Sequence, residues 1–232
     1  RITVLEHLGG ERERIISDIA RSWAKTDVAA LNIIAIGTNI DPTTTPLNRL
    51  PGLPESAYHH DGQLTKREVR AITLAALAPM PGELLWDVGA GCGSIGIEWL
   101  RSHPRCQAIA IEQHAHRLQF IADNMAALGT PHLQLVQGKA PAALADLPTP
   151  DAIFIGGGVT APGLLDTCWT ALRSGGRLVA NAVTVESELQ LLQWHQQVGG
   201  ELTRIAIQRT QNIGGFLGWK PLNPITQLVV VR

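Results

Sequence analysis

The chain has 232 residues, of which 45 % are apolar and 17 % charged, with a formal net charge of −1. This composition excludes intrinsic disorder and speaks against a dedicated nucleic-acid binder, which is usually more basic; the length suffices for one large domain, or a domain with an appendage, whose core needs no disulfide or metal staple. The 3 cysteines, Cys92, Cys106 and Cys168, have no CxxC spacing, and no apolar run reaches the ~18 residues of a membrane span, so a cytoplasmic protein without metal, disulfide framework or membrane segment is expected.

Residue 1 is Arg and no basic-then-apolar leader follows, so a piece of a longer, unsecreted chain is expected. Glu11 to Lys25 is charged and carries Ile15, Ile16, Ile19 and Trp23 at helical spacing, which predicts a helix. The apolar run Leu31–Ile36 predicts a strand ending at Gly37. One helix and one strand cannot bury themselves, so residues 1–38 read as the tail of another domain. Residues 39–56 carry Pro42, Pro46, Pro51 and Pro54 among Thr, Asn and Gly, the composition of a linker. Thr65 with Glu68 three residues on, ahead of Val69, Ile72, Leu74 and Leu77, predicts a capping box opening an amphipathic helix.

Strand-like runs then alternate with helical segments. The runs are Leu84–Val88, Gln107–Ile111, Leu133–Val136, Ala152–Ile155 and Arg177–Asn181, and the segments Ser94–Ser102, His114–Leu128, Pro141–Asp146 and Pro162–Arg173. Alternation of this kind calls for a parallel sheet with helices on both faces. After a helix over Glu186–Val198, Thr203–Gln208 and Gln227–Val231 are expected to close the sheet as a non-parallel pair, with Thr210–Trp219 irregular between them.

The first of these strands runs into Asp87-Val88-Gly89-Ala90-Gly91-Cys92-Gly93-Ser94-Ile95-Gly96. Glycines between a strand and a helix allow a tight turn and close backbone approach to a nucleotide ligand. Two registers fit: Gly91-x-Gly93-x-x-Gly96, a dinucleotide fingerprint, and Gly89-x-Gly91-x-Gly93, the nucleoside loop of S-adenosylmethionine (SAM) methyltransferases. Asp87 favours the second. A carboxylate beside the loop repels a pyrophosphate but attracts the sulfonium and ammonium of SAM. Glu112, at the end of the next strand and about 20 residues past the loop, is placed to accept both ribose hydroxyls. Gly138 and Ala140, after the third strand, leave room for an adenine edge. Gly156-Gly157-Gly158, after the fourth, leave room for a large planar acceptor.

Together, Asp61-Gly62-Gln63-Leu64-Thr65-Lys66-Arg67-Glu68-Val69-Arg70, Trp86-Asp87-Val88-Gly89-Ala90-Gly91-Cys92-Gly93, Gln137-Gly138-Lys139-Ala140-Pro141 and Ile155-Gly156-Gly157-Gly158 resemble the decarboxylating precorrin methyltransferases of cobalamin biosynthesis. The resemblance covers about residues 57–232. It implies a Rossmann-like class I SAM-dependent methyltransferase fold with a mainly parallel seven-stranded sheet. It also implies SAM as methyl donor and contacts to it from Thr65, Gly89, Ala90, Gly91, Cys92, Gly93, Glu112 and Ala140, with Asp87 suiting the methionine end. The small-residue position held by Cys92 is no nucleophile signal. In fused members of this family a tetrapyrrole methylase domain comes first, and Val4-Leu5-Glu6-His7-Leu8-Gly9-Gly10 resembles its last part. The implied partners are that domain, a precorrin macrocycle and further copies of the chain. The implied reaction is methylation of ring carbon 15 with decarboxylation of the acetate on ring carbon 12.

No side chain is assigned as catalytic acid or base. Tyr58, His59 and His60 are candidates near the front helix. Lys66, Arg67, Arg209 and Lys220 are candidate cations for the substrate carboxylates. Phe216 and Trp219 either stack on the macrocycle or, as is commoner for aromatics, pack in the core. His114 and His116, two apart on a helix, share no face and make no metal site. Three other readings stay open. They are a SAM methyltransferase for a protein carboxylate or an RNA base, an NAD-dependent dehydrogenase that Asp87 disfavours, and a non-catalytic nucleoside-binding assembly domain.

Overall fold

The computed structural model describes residues 1–38 and 46–232. The first part of the expected linker, residues 39–45, lies outside the described residues. The chain divides into two compact units, residues 1–47 and 48–232.

The first unit is a three-stranded antiparallel sheet of β1 (Ile2–Glu6), β2 (Arg14–Asp18) and β3 (Asn32–Ile36), in the order β2-β1-β3. The helix expected over Glu11–Lys25 is absent. Adjacent Ile15 and Ile16 pair with Leu5 and Val4 across β1, as suits β-branched side chains on a pleated surface. Glu6, 2 % exposed, accepts from Arg14 Nε at 2.6 Å and from the Ala29 N–H at 2.8 Å. Ile33, Ile34 and Ile36 of β3 stay exposed.

The second unit is built on a seven-stranded sheet. Its elements are α1 (Arg67–Leu77), β4 (Leu84–Val88), α2 (Ser94–Ser102), β5 (Gln107–Glu112), α3 (Ala115–Leu128), β6 (Gln134–Gln137) and β7 (Ala152–Ile155). They continue with α4 (Leu164–Ala171), β8 (Arg177–Ala182), α5 (Val185–Val198), β9 (Glu201–Ile205), β10 (Gln208–Ile213), β11 (Phe216–Pro221) and β12 (Ile225–Val231). The strand order is β6-β5-β4-β7-β8-β12-β9. Neighbours from β6 to β8 are parallel, and β12 lies antiparallel between β8 and β9. Side chains alternate across this sheet. Leu85, Ala108, Ala110 and Phe154 face one core with Leu74, Ile95 and Ile121, while Trp86, Ile109, Ile111 and Ile153 face the other with Leu164, Leu191 and Trp194. The order reverses at β4, so the crevice past the ends of β4 and β7 is where ligands bind in such sheets.

Four local expectations change. Residues 48–56, read as linker by composition, belong to the second unit: Leu53 is 3 % exposed. The capping box does not form. Helix α1 starts at Arg67 with Lys66 as an N-cap that makes no side-chain bond, because Glu68 turns outward to Arg209 Nη2 at 2.6 Å. The Pro141–Asp146 helix shrinks to a single 3-10 turn over Ala142–Leu144. Thr210–Trp219 is not irregular. Strands β10 and β11 form a separate hairpin, Ile213 facing Phe216 across Gly214-Gly215, a two-residue turn that glycine favours. Phe216 and Trp219 are exposed there, outside the core.

Candidate active site

A cavity of about 890 Å³ opens past the ends of β4, β5 and β7. Thr65, Gly89, Ala90, Gly91, Glu112, Gly138 and Ala140 line it, as do Gly156–Gly158, Asn181, Ile205 and Lys220. Seven of the ten residues expected at a nucleoside site are thus brought together. Asp87, Cys92 and Gly93 are not in its wall. A Cβ on Gly93 would come within 2.8 Å of Ile121, so that glycine serves the packing of α3. Cys92 is 2 % exposed, and burial pushes its thiol up to about 11, an inert state.

Glu112, 3 % exposed, ends β5. Its Oε2 accepts the Gly91 N–H at 2.9 Å and its Oε1 the His114 N–H at 2.9 Å. Each oxygen keeps a further lone pair for a ligand hydroxyl, and the same carboxylate fixes the glycine loop. The loop is pressed against the β7 end, since a Cβ on Gly89 would meet the Gly157 backbone at 3.0 Å.

Asp87 lies beneath the loop on the α2 side of the sheet, 1 % exposed. Its Oδ2 accepts the Gly96 N–H at 2.9 Å in the first turn of α2, while Oδ1 is buried with no partner. Burial pushes its carboxyl up to about 7; the Gly96 bond opposes this and the Glu112 charge adds to it. An orphaned carboxylate oxygen and a second carboxylate beside one loop suit a cationic ligand and oppose a pyrophosphate. The residues present therefore fit SAM: Glu112 and the loop backbone would hold the nucleoside, and Glu112, joined by Asp87 once it ionises, would favour its positive charge.

The raised Asp87 value has a signed consequence. Between about pH 4 and pH 7 the folded chain holds a proton at Asp87 that the unfolded chain has lost. Stability contributed by this group therefore falls as pH rises through that window. The full decline is on the order of 4 kcal/mol at ~1.4 kcal/mol per unit. Asp87→Asn should remove it. Urea unfolding of parent and variant at pH 5 and pH 8 measures the difference, and equal pH dependence in both would refute the assignment.

Behind the site, a buried ion pair ties the front of the unit together. Arg70 Nε reaches Glu98 Oε1 at 2.5 Å, and both side chains are at most 2 % exposed. Arg70 Nη1 also donates to the Thr65 carbonyl at 2.6 Å. Glu98 accepts the N–H groups of Gly52 and Leu53 at 2.6 and 3.0 Å and the Tyr58 hydroxyl at 2.8 Å. Tyr58 is therefore a structural donor: burial raises its phenol far above the ordinary value, and it lines no part of the cavity. The His59 backbone is held from both sides by Asn124, whose Nδ2 also donates to the Cys92 carbonyl at 3.0 Å. The His60 ring accepts the Gly62 N–H, and neither histidine lines the cavity. Of the expected cations, Lys66 and Lys220 line it and Arg67 and Arg209 do not. Arg209 is held by Glu55 and Glu68 at 2.7 and 2.6 Å. No cluster of His, Cys, Asp or Glu suited to a metal ion occurs among the described residues.

Sheet order, glycine loop and acidic β5 terminus together define a Rossmann-like class I SAM-dependent methyltransferase. The family model described as "Precorrin methyltransferase domain" matches residues 56–232. The chain belongs to this family. It is 52 % identical over 227 residues to a precorrin-6Y C(5,15)-methyltransferase (decarboxylating) of Sinorhizobium sp., covering 98 % of this chain and 55 % of the relative. It therefore spans little more than half the length of that relative. It is 30 % identical over 166 residues to the cobalt-precorrin-6B C(15)-methyltransferase (decarboxylating) of Salmonella typhimurium, covering 70 % of this chain and 85 % of the relative. Among solved structures, the C-terminal domain of precorrin-6Y C5,15-methyltransferase from Rhodobacter capsulatus is 49 % identical with a TM-score of 0.76, over 80 % of this chain and all of that one.

Proposed function

We propose that this chain transfers a methyl group from SAM to carbon 15 of a precorrin macrocycle and removes the carboxyl of the acetate on carbon 12. One observation carries the reading: the glycine loop with Glu112 and the open Gly156–Gly158 floor share one continuous cavity. In a chain of this family, that supports a nucleoside and an acceptor bound side by side. The Salmonella relative, named for the carbon-15 methylation and decarboxylation, is 85 % covered by this chain, which supports assigning both steps to residues 57–232.

SAM supplies an electrophilic methyl on a cationic sulfur. The chain supplies alignment. Glu112 and the loop backbone hold the nucleoside, Thr65 closes over it from the front of α1, and Gly156–Gly158 leave the acceptor ring free to approach. Orientation of this kind contributes several kcal/mol to a displacement whose carbon nucleophile is already electron-rich. Lys66 and Lys220 face the cavity and suit carboxylates of the substrate.

Residues 1–38 belong, in this reading, to the end of a preceding tetrapyrrole methylase domain. The exposed Ile33, Ile34 and Ile36 of its small sheet support that, as does a Sinorhizobium relative that 98 % of this chain matches over only 55 % of its length. Partners are that domain, the macrocycle and further copies of the chain.

The test is a product analysis. Incubated with reduced precorrin-6 macrocycle and SAM, the chain should yield a product that has gained one methyl and lost one CO2. Carbon-13 spectra should place the new methyl on carbon 15. A second methyl, on carbon 5, would overturn the division of labour between the two domains.

A further inference from the structure

The cavity wall includes the apolar side chains of Phe154, Leu164, Ile205 and Ile225. One polar group there is locked in place by side chains that do not face the ligand. Asn181, half-buried near the end of β8, lines the cavity. Its Nδ2 donates to Thr73 Oγ1 at 3.0 Å, and its Oδ1 accepts from Gln227 Nε2 at 2.9 Å. Gln227 is the residue directly opposite on β12 and also donates to Thr73 Oγ1, at 3.1 Å. Thr73 and Gln227 are 0 % and 2 % exposed. Both Gln227 amide hydrogens are thus used. Asn181 has two amide hydrogens and spends one; the second has no acceptor among the described residues.

A rigid neutral donor in an apolar wall has a particular chemistry. A carboxylate must be desolvated and turned before it is lost. An ammonium or guanidinium beside it would stabilise the ground state as much as it binds it, which does nothing for the rate. A single N–H fixes one oxygen with far less charge stabilisation. Lys220, which lines the same cavity and has no ion-pair partner among the described residues, suits a carboxylate that stays.

We propose that Asn181 binds and orients the carboxylate that is lost, with Thr73 and Gln227 as positioning residues that act through it. This rests on the reaction given under Proposed function. The bond between the acetate methylene and its carboxyl carbon breaks, and CO2 leaves. The electron pair passes into the conjugated macrocycle, and a solvent proton on the former methylene completes a methyl group. Asn181 holds the carboxylate so that the breaking bond stands in line with the ring π-system.

The experiment uses the whole chain with reduced precorrin macrocycle and SAM, and follows CO2 release, methyl transfer and SAM affinity separately. Asn181→Ala should lower kcat for CO2 release about 10²-fold, the scale of a misplaced reacting group. Methyl transfer should fall less, and SAM affinity should hold within about twofold of the parent, since the amide's partners, Thr73 and Gln227, are not among the residues expected at the nucleoside. Asn181→Asp keeps an acceptor for Gln227 and can accept a hydrogen bond from the Thr73 hydroxyl, so a purely structural role would tolerate it. It should instead release CO2 more slowly than Asn181→Ala, because like charges repel. Gln227→Met, which frees the amide, should shift the ratio of CO2 to methyl in the same direction. Undiminished CO2 release from Asn181→Ala, or faster release from Asn181→Asp than from Asn181→Ala, would overturn the inference alone. A parent chain that methylates without releasing CO2 overturns the proposed function and this inference with it.

Discussion

Glu98→Ala should destabilise the chain by about 3–5 kcal/mol and weaken SAM binding as a consequence. The pair it breaks is fully buried, with Arg70 and Glu98 exposed by 0 % and 2 % at the side chain. Removing one partner leaves the other charge without solvent or counterion, the costly outcome for such pairs. The loss also strands the partly buried Gly52 N–H and leaves the Leu53 N–H and the Tyr58 hydroxyl as buried donors without an acceptor. Arg70 would then lose the anchor that aims its Nη1 at the Thr65 carbonyl, so the residue expected over the nucleoside shifts with it. Glu98→Gln keeps one acceptor oxygen but turns an amide toward backbone N–H donors, and should cost less. Arg70→Met combined with Glu98→Leu should recover part of the loss, because no charge remains buried. Denaturant unfolding of the four chains checks this. A Glu98→Ala chain within 1 kcal/mol of the parent would remove the pair from the stability of the front segment.

The sequence patterns that carried furthest are those with a single physical solution. Leu84–Val88 and Ala152–Ile155 are strands with the expected bounds, because short apolar runs between turn residues fit little else in an alternating α/β chain. The glycine loop was visible because its φ values of +71, +60 and +79 at Gly89, Gly91 and Gly93 suit hardly any other residue. Two kinds of feature were not. In the first unit, Ile15, Ile16, Ile19 and Trp23 fit a helix, and only pairing with β1 turns Ile15 and Ile16 into a strand. The hairpin β10–β11 did carry a signal, Gly214-Gly215 between Ile213 and Phe216, but the polar run before it masks any alternation. The polar networks are the other kind. Arg70 and Glu98 lie 28 residues apart, and Thr73 lies 108 and 154 residues from Asn181 and Gln227. No local motif joins such residues. A usable hint was there all the same: Arg70 sits on the Val69, Thr73, Leu74 and Leu77 face of α1, and Glu98 sits between Ile97 and Trp99. Charges at core positions call for one another.

Gly89→Ala should reduce SAM affinity by at least about 100-fold, a larger effect than its single added carbon suggests. Two costs combine. The residue sits at φ +71, where an L side chain loses roughly 1–2 kcal/mol. The added Cβ would also lie 3.0 Å from both N and O of Gly157. Those are backbone atoms of the loop after β7, which cannot rotate aside, and overpacking of this kind costs about 1–3 kcal/mol. The loop relieves the contact by moving off the β7 end. That movement pulls the Gly91 N–H away from Glu112 Oε2, now 2.9 Å apart, and with it the carboxylate that would hold the ribose. Gly157→Ala is the matched control. Its Cβ meets nothing within 4 Å, so its stability should stay within about 0.5 kcal/mol of the parent. Calorimetric titration with SAM and thermal unfolding of the three chains separate the two positions. Parental SAM affinity in Gly89→Ala would mean that the loop carries the ligand without its contact to the β7 end.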